Sequence, residues 1–256
     1  VDFDSQVHVW SAIGRKAMAV NLSDCAAMAV VPVSAVCAVA LSNKLSLEDA
    51  TELVRGAHEF GLHYGCPIVG GDTNSWDAPT AISITVAARC EAGLSPIRRD
   101  GARPDDGIWL TGPVGGSILG RHMTFEPRLA LSREIAHRIQ PHAMIDISDG
   151  LALDLWRILE ASGCGAVLEE AALDAATHAD AVRLAAQDGR SPREHALYDG
   201  EDFELLVVAP ADAAEGEMLA LGLLPIGKIT AEPGLRLGRA GGVYEALPVR
   251  GWEHFR

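Results

Sequence analysis

The stretch Met144-Ile145-Asp146-Ile147-Ser148-Asp149-Gly150-Leu151-Ala152-Leu153-Asp154-Leu155 decides how the chain folds. Its apolar lead (Ala143, Met144, Ile145, Ile147) is short and rich in β-branched residues, which predicts a buried strand. Asp146 lies inside that apolar run, where a carboxylate is costly unless a cation or hydrogen-bond donors compensate it. Ser148, Asp149 and Gly150 then turn the chain. Leu151, Leu155, Ile158 and Leu159 recur at helical spacing, so a helix follows, with Ser148 or Asp149 as its cap. A strand thus ends, carboxylates leave its tip, and a helix N-terminus faces the same space. This arrangement suits a phosphate held through a metal, because carboxylates take Mg²⁺ and helix N–H groups take phosphate oxygens. Asp149 taken alone is equally a plain N-cap; Asp146 and Asp149 together favour a site.

The chain has 256 residues, 48% of them hydrophobic, enough for one large domain or two small ones. No apolar run reaches the length of a membrane span, no signal-peptide pattern occurs, and a soluble cytoplasmic protein is expected. The net charge of -14 argues against nucleic acid as the main partner. It leaves room for an anionic nucleotide if a metal bridges acid to phosphate. Cys25, Cys37, Cys66, Cys90 and Cys164 are odd in number, scattered and set in apolar segments. They read as reduced core residues, not as zinc ligands or disulfides.

Outward from the central stretch, Gly14 to Val30 packs small and apolar residues at helical spacing, interrupted by Asn21, Ser23 and Asp24. That trio either faces solvent and bends the helix or projects Asp24 into a site; the smallness of the segment favours the site. Val33 to Leu41 is β-rich, and Ser46 caps a helix reaching Tyr64. Pro67-Ile68-Val69-Gly70-Gly71-Asp72-Thr73 ends a short strand in glycines, which admit a phosphate close to the backbone, followed by a possible metal ligand in Asp72. A plain turn has the same composition. Ala81 to Ala88 alternates as a strand. Arg98 and Arg99 read more simply as surface charge than as phosphate ligands. Arg103-Pro104-Asp105-Asp106-Gly107 is turn-rich and divides the chain into domains of residues 1–103 and 104–256. Gly112 to Ser117 is a glycine-rich turn into a helix, without the Lys of a P-loop. Arg128 to Ile139 and Leu173 to Gln187 are predicted helical. Asp199-Gly200-Glu201-Asp202-Phe203-Glu204 precedes the buried strand Leu205 to Val208, its acids divided evenly between mere solvation and function. In the terminal Gly251-Trp252-Glu253-His254-Phe255, Trp252 either docks the chain end or stacks on a flat heterocycle.

Five of these segments, in this order and spacing, resemble the thiamine-monophosphate kinase family. They are Asn21-Leu22-Ser23-Asp24, Gly70-Gly71-Asp72-Thr73, Asp146 to Leu151, Gly200 to Glu204 and the terminal Gly-Trp-x-His-Phe, which points to the thiamine branch of a superfamily that includes aminoimidazole ribonucleotide synthetase. The resemblance implies a two-domain α/β fold whose N-terminal sheet pairs with a second subunit's into a barrel, hence a homodimer. It implies ATP and several Mg²⁺ ions between the domains, and transfer of the γ-phosphoryl of ATP onto thiamine monophosphate to give thiamine diphosphate. By position, Asp24, Asp72, Asp146 and Asp149 match the family's metal ligands. Gly71, Asp72, Arg99 and Ser148 match its ATP contacts, and Asp2, Glu201 and Trp252 its substrate contacts. No general base is nominated, since a phosphate acceptor is already partly ionised.

The chain departs from the pattern in three places. The family's upstream Gly-Asp-Asp and Thr-Asp-rich segments, both metal-binding, have no counterpart, and the chain opens on Val1 without Met, as a fragment or trimmed N-terminus would. Asp2 stands where the family often has His, and Asp199 where it usually has Gly. The competing readings are another ATP-dependent synthetase of the superfamily and a non-catalytic nucleotide- or thiamine-phosphate-binding protein.

Overall fold

The structure, a computed structural model, describes residues 3–252. Two sheets organise it. The first is built from α1 (Trp10–Ala27), β1 (Val31–Ser42), α2 (Leu47–His63), β2 (Ile68–Trp76) and β3 (Ala81–Arg89). Its strand order is β2-β1-β3, with β1 and β2 parallel across the α2 crossover and β3 antiparallel to β1. Ser46 caps α2 as predicted, its side chain accepting the Asp49 N–H at 3.0 Å. The two helices touch through glycine. A Cβ on Gly14 would lie 1.9 Å from the Leu53 carbonyl oxygen, and one on Gly56 2.0 Å from that of Ser11. The small residues of the first helix therefore serve close helix approach.

The second sheet has seven strands in the order β10-β9-β6-β8-β4-β7-β5. In chain order its region contains β4 (Gly107–Leu110), α3 (Arg121–Thr124), α4 (Leu129–Arg138), β5 (Ala143–Asp146), α5 (Leu151–Ser162) and β6 (Gly165–Glu169). It continues with α6 (Glu170–Ala175), α7 (Ala179–Asp188), α8 (Pro192–Tyr198), β7 (Leu205–Ala209), α9 (Glu215–Ala220), β8 (Leu224–Thr230), β9 (Gly234–Arg239) and β10 (Val243–Ala246). Among the described residues of this sheet, only the strands β6 and β9 pair in parallel. Both faces of β5 and β7 are buried, which is why these strands read as continuous apolar runs rather than alternating ones. Ile145, Leu206 and Val208 point into a core shared with Leu151, Leu155 and Ile158 of α5. Met144, Leu205 and Val207 point the other way, into a core shared with Met18 and Leu22 of α1 and Ile135 of α4. The first helix therefore packs on the second sheet as well as its own.

Several expectations need correction. The polar trio does not interrupt α1, which runs unbroken from Trp10 to Ala27. The helix predicted over Leu173 to Gln187 is two helices, α6 and α7, with His178 accepting the Asp180 N–H at the start of the second. The glycine-rich turn at 112–117 enters a single 3-10 turn, Ser117–Leu119, before the short α3. Cys90 is only half-buried, whereas the other four cysteines are buried, and all five are free thiols.

Candidate active site

The turn at Ser148 and Asp149 gathers the site. Asp146 is the last residue of β5, the edge strand of the large sheet. Neither Ser148 nor Asp149 caps the helix that follows; its N-cap is Gly150, which makes no side-chain cap bond. The carboxylate of Asp154 does that work from inside the helix. Its Oδ2 accepts the N–H groups of Ser148, Asp149 and Gly150 at 3.0, 3.0 and 3.1 Å. These N–H groups are therefore already satisfied, and the helix entrance does not offer them to a phosphate as the sequence suggested. Arg157 bridges the two acids, reaching Asp154 Oδ1 and Asp149 Oδ2 at 2.5 Å each. Burial pushes the Asp154 carboxyl up to about 6, while Arg157 and the N–H donors pull it down.

Two other segments dock on this turn through their backbones. Glu201 donates its N–H to the Ser148 carbonyl at 2.8 Å, and Trp252 donates its N–H to the Asp149 carbonyl at 2.8 Å. Three residues of the acidic loop have positive φ: Gly200 at 74°, Glu201 at 58° and Phe203 at 52°. A non-glycine residue in that region is strained and is held there by its surroundings. Phe203 is held by stacking on Phe125 at 4.1 Å. Asp202 accepts the Gly115 N–H at 2.9 Å and pairs with Arg121 at 2.9 Å. Burial nonetheless pushes its carboxyl up to about 7. Glu204 accepts from Thr111 Oγ1 at 2.7 Å and forms a two-pronged pair with Arg128. The acids of this loop are thus internal ion-pair partners, not solvation. The glycine-rich turn at 112–117 proves to be the clamp on this loop, Ser117 Oγ donating to the Gly200 carbonyl at 2.9 Å. Asp199 turns away, toward Arg190 and His195.

The first helix supplies the opposite wall. Lys16 and Ser23, two turns apart on one face of α1, both reach the second sheet's region. Ser23 Oγ donates to Asp146 Oδ2 at 2.6 Å, and Lys16 Nζ pairs with Glu201. Asp24 is exposed and opens onto a cleft of 460 Å³ that it lines with Asn21, Met28, Ile84 and Val86. Desolvation by the cleft walls raises its pKa, and Arg99 nearby lowers it, with a net rise. Asp146 is buried, and burial pushes its carboxyl up to about 7; Ser23 lowers it, while the charge of Asp24 adds to the rise. Two carboxylates that disfavour each other's charge, one of them buried, form a donor set that fits a hard divalent cation.

The four aspartates predicted as metal ligands do not form one cluster. Asp24 neighbours Ser23, which bonds Asp146, Asp149 is turned to Arg157, and Asp72 lies exposed on β2, bonded to Asn74 at 3.0 Å. Among the described residues no three His, Cys, Asp or Glu side chains converge as a metal site. Gly71 is needed for close packing, since its Cβ would lie 1.7 Å from the Cys37 carbonyl oxygen. Asp2, expected near the substrate, lies outside the described residues, as do Glu253, His254 and Phe255. Sequence reasoning missed Lys16, Asp154 and Arg157. A signal existed for each: Lys16 shares a helix face with Ser23, and Asp154 and Arg157 stand one helical turn apart just after the acidic turn.

The family model for the AIR synthase related protein N-terminal domain matches residues 1–90, and that for the C-terminal domain matches residues 103–239. The thiamine-monophosphate kinase of Rhodopirellula baltica is 42% identical over 257 residues, covering 99% of this chain and 80% of the relative. The solved structure of AaThiL complexed with AMPPCP and TMP has the same fold, with a TM-score of 0.84 at 24% identity over 98% of this chain and 82% of that one. The thiamine-monophosphate kinase from Stenotrophomonas maltophilia K279a gives a TM-score of 0.78 at 26% identity, over 93% of this chain and 81% of its own. With two matching domain models, a relative this similar over nearly the whole chain and a shared fold, the chain belongs to the thiamine-monophosphate kinase family.

Proposed function

We propose that this chain transfers the γ-phosphoryl group of ATP onto the phosphate of thiamine monophosphate, giving ADP and thiamine diphosphate. The observation that carries this reading is the convergence of Ser148, Asp149, Glu201 and Trp252 on one turn beside Asp146 and Asp24. Every segment of the thiamine-kinase pattern except the Gly71-Asp72 strand end meets there. An acceptor oxygen bonds to the γ-phosphorus as the bond to the β,γ-bridging oxygen breaks, in line. The acceptor phosphate is largely ionised at neutral pH, its second pKa being about 6, so no side chain has to remove a proton. Repulsion between the two polyanions is the main obstacle. Asp24, Asp146, Asp149 and Asp72 are the carboxylates that would hold Mg²⁺, which would supply charge neutralisation and phosphate alignment. Arg99, beside Asp24, offers the nucleotide a fixed positive charge, and Ser148 a hydroxyl, with Gly71 belonging to the same proposed nucleotide contacts through its backbone. Glu201 and Trp252 take the acceptor, Trp252 through ring stacking.

The division at residues 103 and 104 belongs to the same reading and is supported by the two separate sheets. So does a homodimer, supported by the exposed Val33, Val36, Val69 and Trp76 on the small sheet. A cytoplasmic location fits free thiols, and among the described residues no helix is long and apolar enough to cross a membrane. The test is an acceptor comparison with ATP and Mg²⁺. Thiamine diphosphate formed from thiamine monophosphate, with no phosphorylation of free thiamine, supports the proposal. ADP release that is indifferent to thiamine monophosphate overturns it.

A further inference from the structure

Lys16 is 3% exposed, and a lysine so deeply buried needs a counter-charge. Its ammonium meets the carboxylate of Glu201, which belongs to the acidic loop of the large sheet. That loop is fixed at its backbone: the Glu201 N–H is held by Ser148, and φ at Glu201 is 58°. Backbone anchoring alone leaves the side-chain torsions of a glutamate open. The buried ammonium, delivered from α1, closes them. Lys16 is itself held in register, because Arg15 next to it donates to the carbonyls of Met123 and Phe125 at 3.1 and 2.7 Å. Ser23, two turns along the same helix, is bonded to Asp146. The helix is thereby tied at two places to the region that bears Glu201.

We propose that Lys16 is a positioning residue for the acceptor: it aims the Glu201 carboxylate at the bound thiamine phosphate and acts on the acceptor through that carboxylate. This rests on the reading of Glu201 as an acceptor contact. The pair contributes almost no net charge, so its effect is direction. The cationic ring of the substrate meets a carboxylate already placed, without the ordering cost a free glutamate side chain would add. ATP, held on the Asp24 and Arg99 side, does not feel it.

The experiment is a comparison of KM for thiamine monophosphate, KM for ATP and kcat in the full chain and in K16M, K16R, E201Q and K16M/E201Q. Removal of Lys16 is expected to raise KM for thiamine monophosphate about tenfold, the scale of one charge-assisted bond, and to leave KM for ATP within twofold. K16R should recover part of the loss. In the E201Q background the Lys16 substitution should add less than twofold. E201Q alone leaves the buried Lys16 ammonium without this carboxylate and risks misfolding, whereas the Glu201 side chain is 29% exposed and can turn to water in K16M. K16M/E201Q removes both charges, so its comparison with K16M stays readable. If E201Q raises KM for thiamine monophosphate but K16R and K16M/E201Q show that Lys16 acts independently or on ATP, the positioning role is overturned while the acceptor reading stands. If E201Q itself leaves that KM unchanged, the acceptor reading of Glu201 has failed, and the proposal falls with it.

Discussion

Replacing Asp154 by alanine should unfold the acidic turn at a cost that can be worked from its bonds. The side chain is fully buried and accepts three successive N–H groups at 3.0 to 3.1 Å. Of these, the Gly150 donor is buried, while Ser148 and Asp149 are half-buried and can turn to water. One orphaned buried donor costs about 1–3 kcal/mol, and the two half-buried donors together add about 1 kcal/mol. The ion pair to Arg157 is discounted, because that arginine is 35% exposed and recovers hydration when released. D154A should therefore lose about 2–4 kcal/mol. D154N keeps an oxygen for the N–H groups and loses only the charge, so about 1–2 kcal/mol is expected. The assay is urea unfolding at pH 8, above the Asp154 value of about 6, so that the wild-type carboxylate is charged. The midpoint should fall with an unchanged slope. A loss below 1 kcal/mol in D154A, or equal losses in both variants, would refute the assignment of Asp154 as the acceptor that builds the turn.

Asp202 gives a pH dependence with a definite sign. Its carboxyl lies near 3.8 when exposed and about 7 when folded, so the folded state holds the extra proton and stability falls as pH rises between those values. The slope from this residue is at most about 1.4 kcal/mol per pH unit, and thermal melts of D202N should be flatter from pH 5 to 7 than those of wild type. Gly251 touches the same turn: a Cβ there would lie 2.3 Å from the Asp149 carbonyl oxygen. G251A should displace Trp252 and raise KM for thiamine monophosphate several-fold, with the melting temperature nearly unchanged. Gly14 faces the Leu53 carbonyl at a distance that admits no Cβ, so G14A should cost about 2 kcal/mol or more in urea unfolding, through separation of α1 from α2.

The parts of the fold legible in the sequence were those with a local signature. The apolar run before Asp146, the leucine spacing after it and the cap at Ser46 each carry their own physics, and β5, α5 and α2 formed as read. The family pattern also found the residues that meet at the Ser148 turn. What escaped was long-range or competitive. Whether Ser148, Asp149 or Asp154 satisfies the helix entrance depends on which carboxylate can fold back, and all three are plausible on paper. That Glu201, Asp202 and Glu204 are ion-pair partners depends on Lys16, Arg121 and Arg128, which lie 185, 81 and 76 positions away in the chain. A run of acids has the same appearance whether water or arginine answers it. Asp72 was grouped with the other aspartates by motif, but it stands on an exposed strand of the small sheet, away from the Ser148 turn.

The most direct test of the account is the fate of the terminal phosphorus of γ-labelled ATP incubated with the protein, Mg²⁺ and thiamine monophosphate. The account predicts label in thiamine diphosphate, one equivalent for each ADP, and loss of that product in D146N while E201Q retains it at high acceptor concentration. Label released only as inorganic phosphate, or thiamine diphosphate formed equally well by D146N, would contradict it.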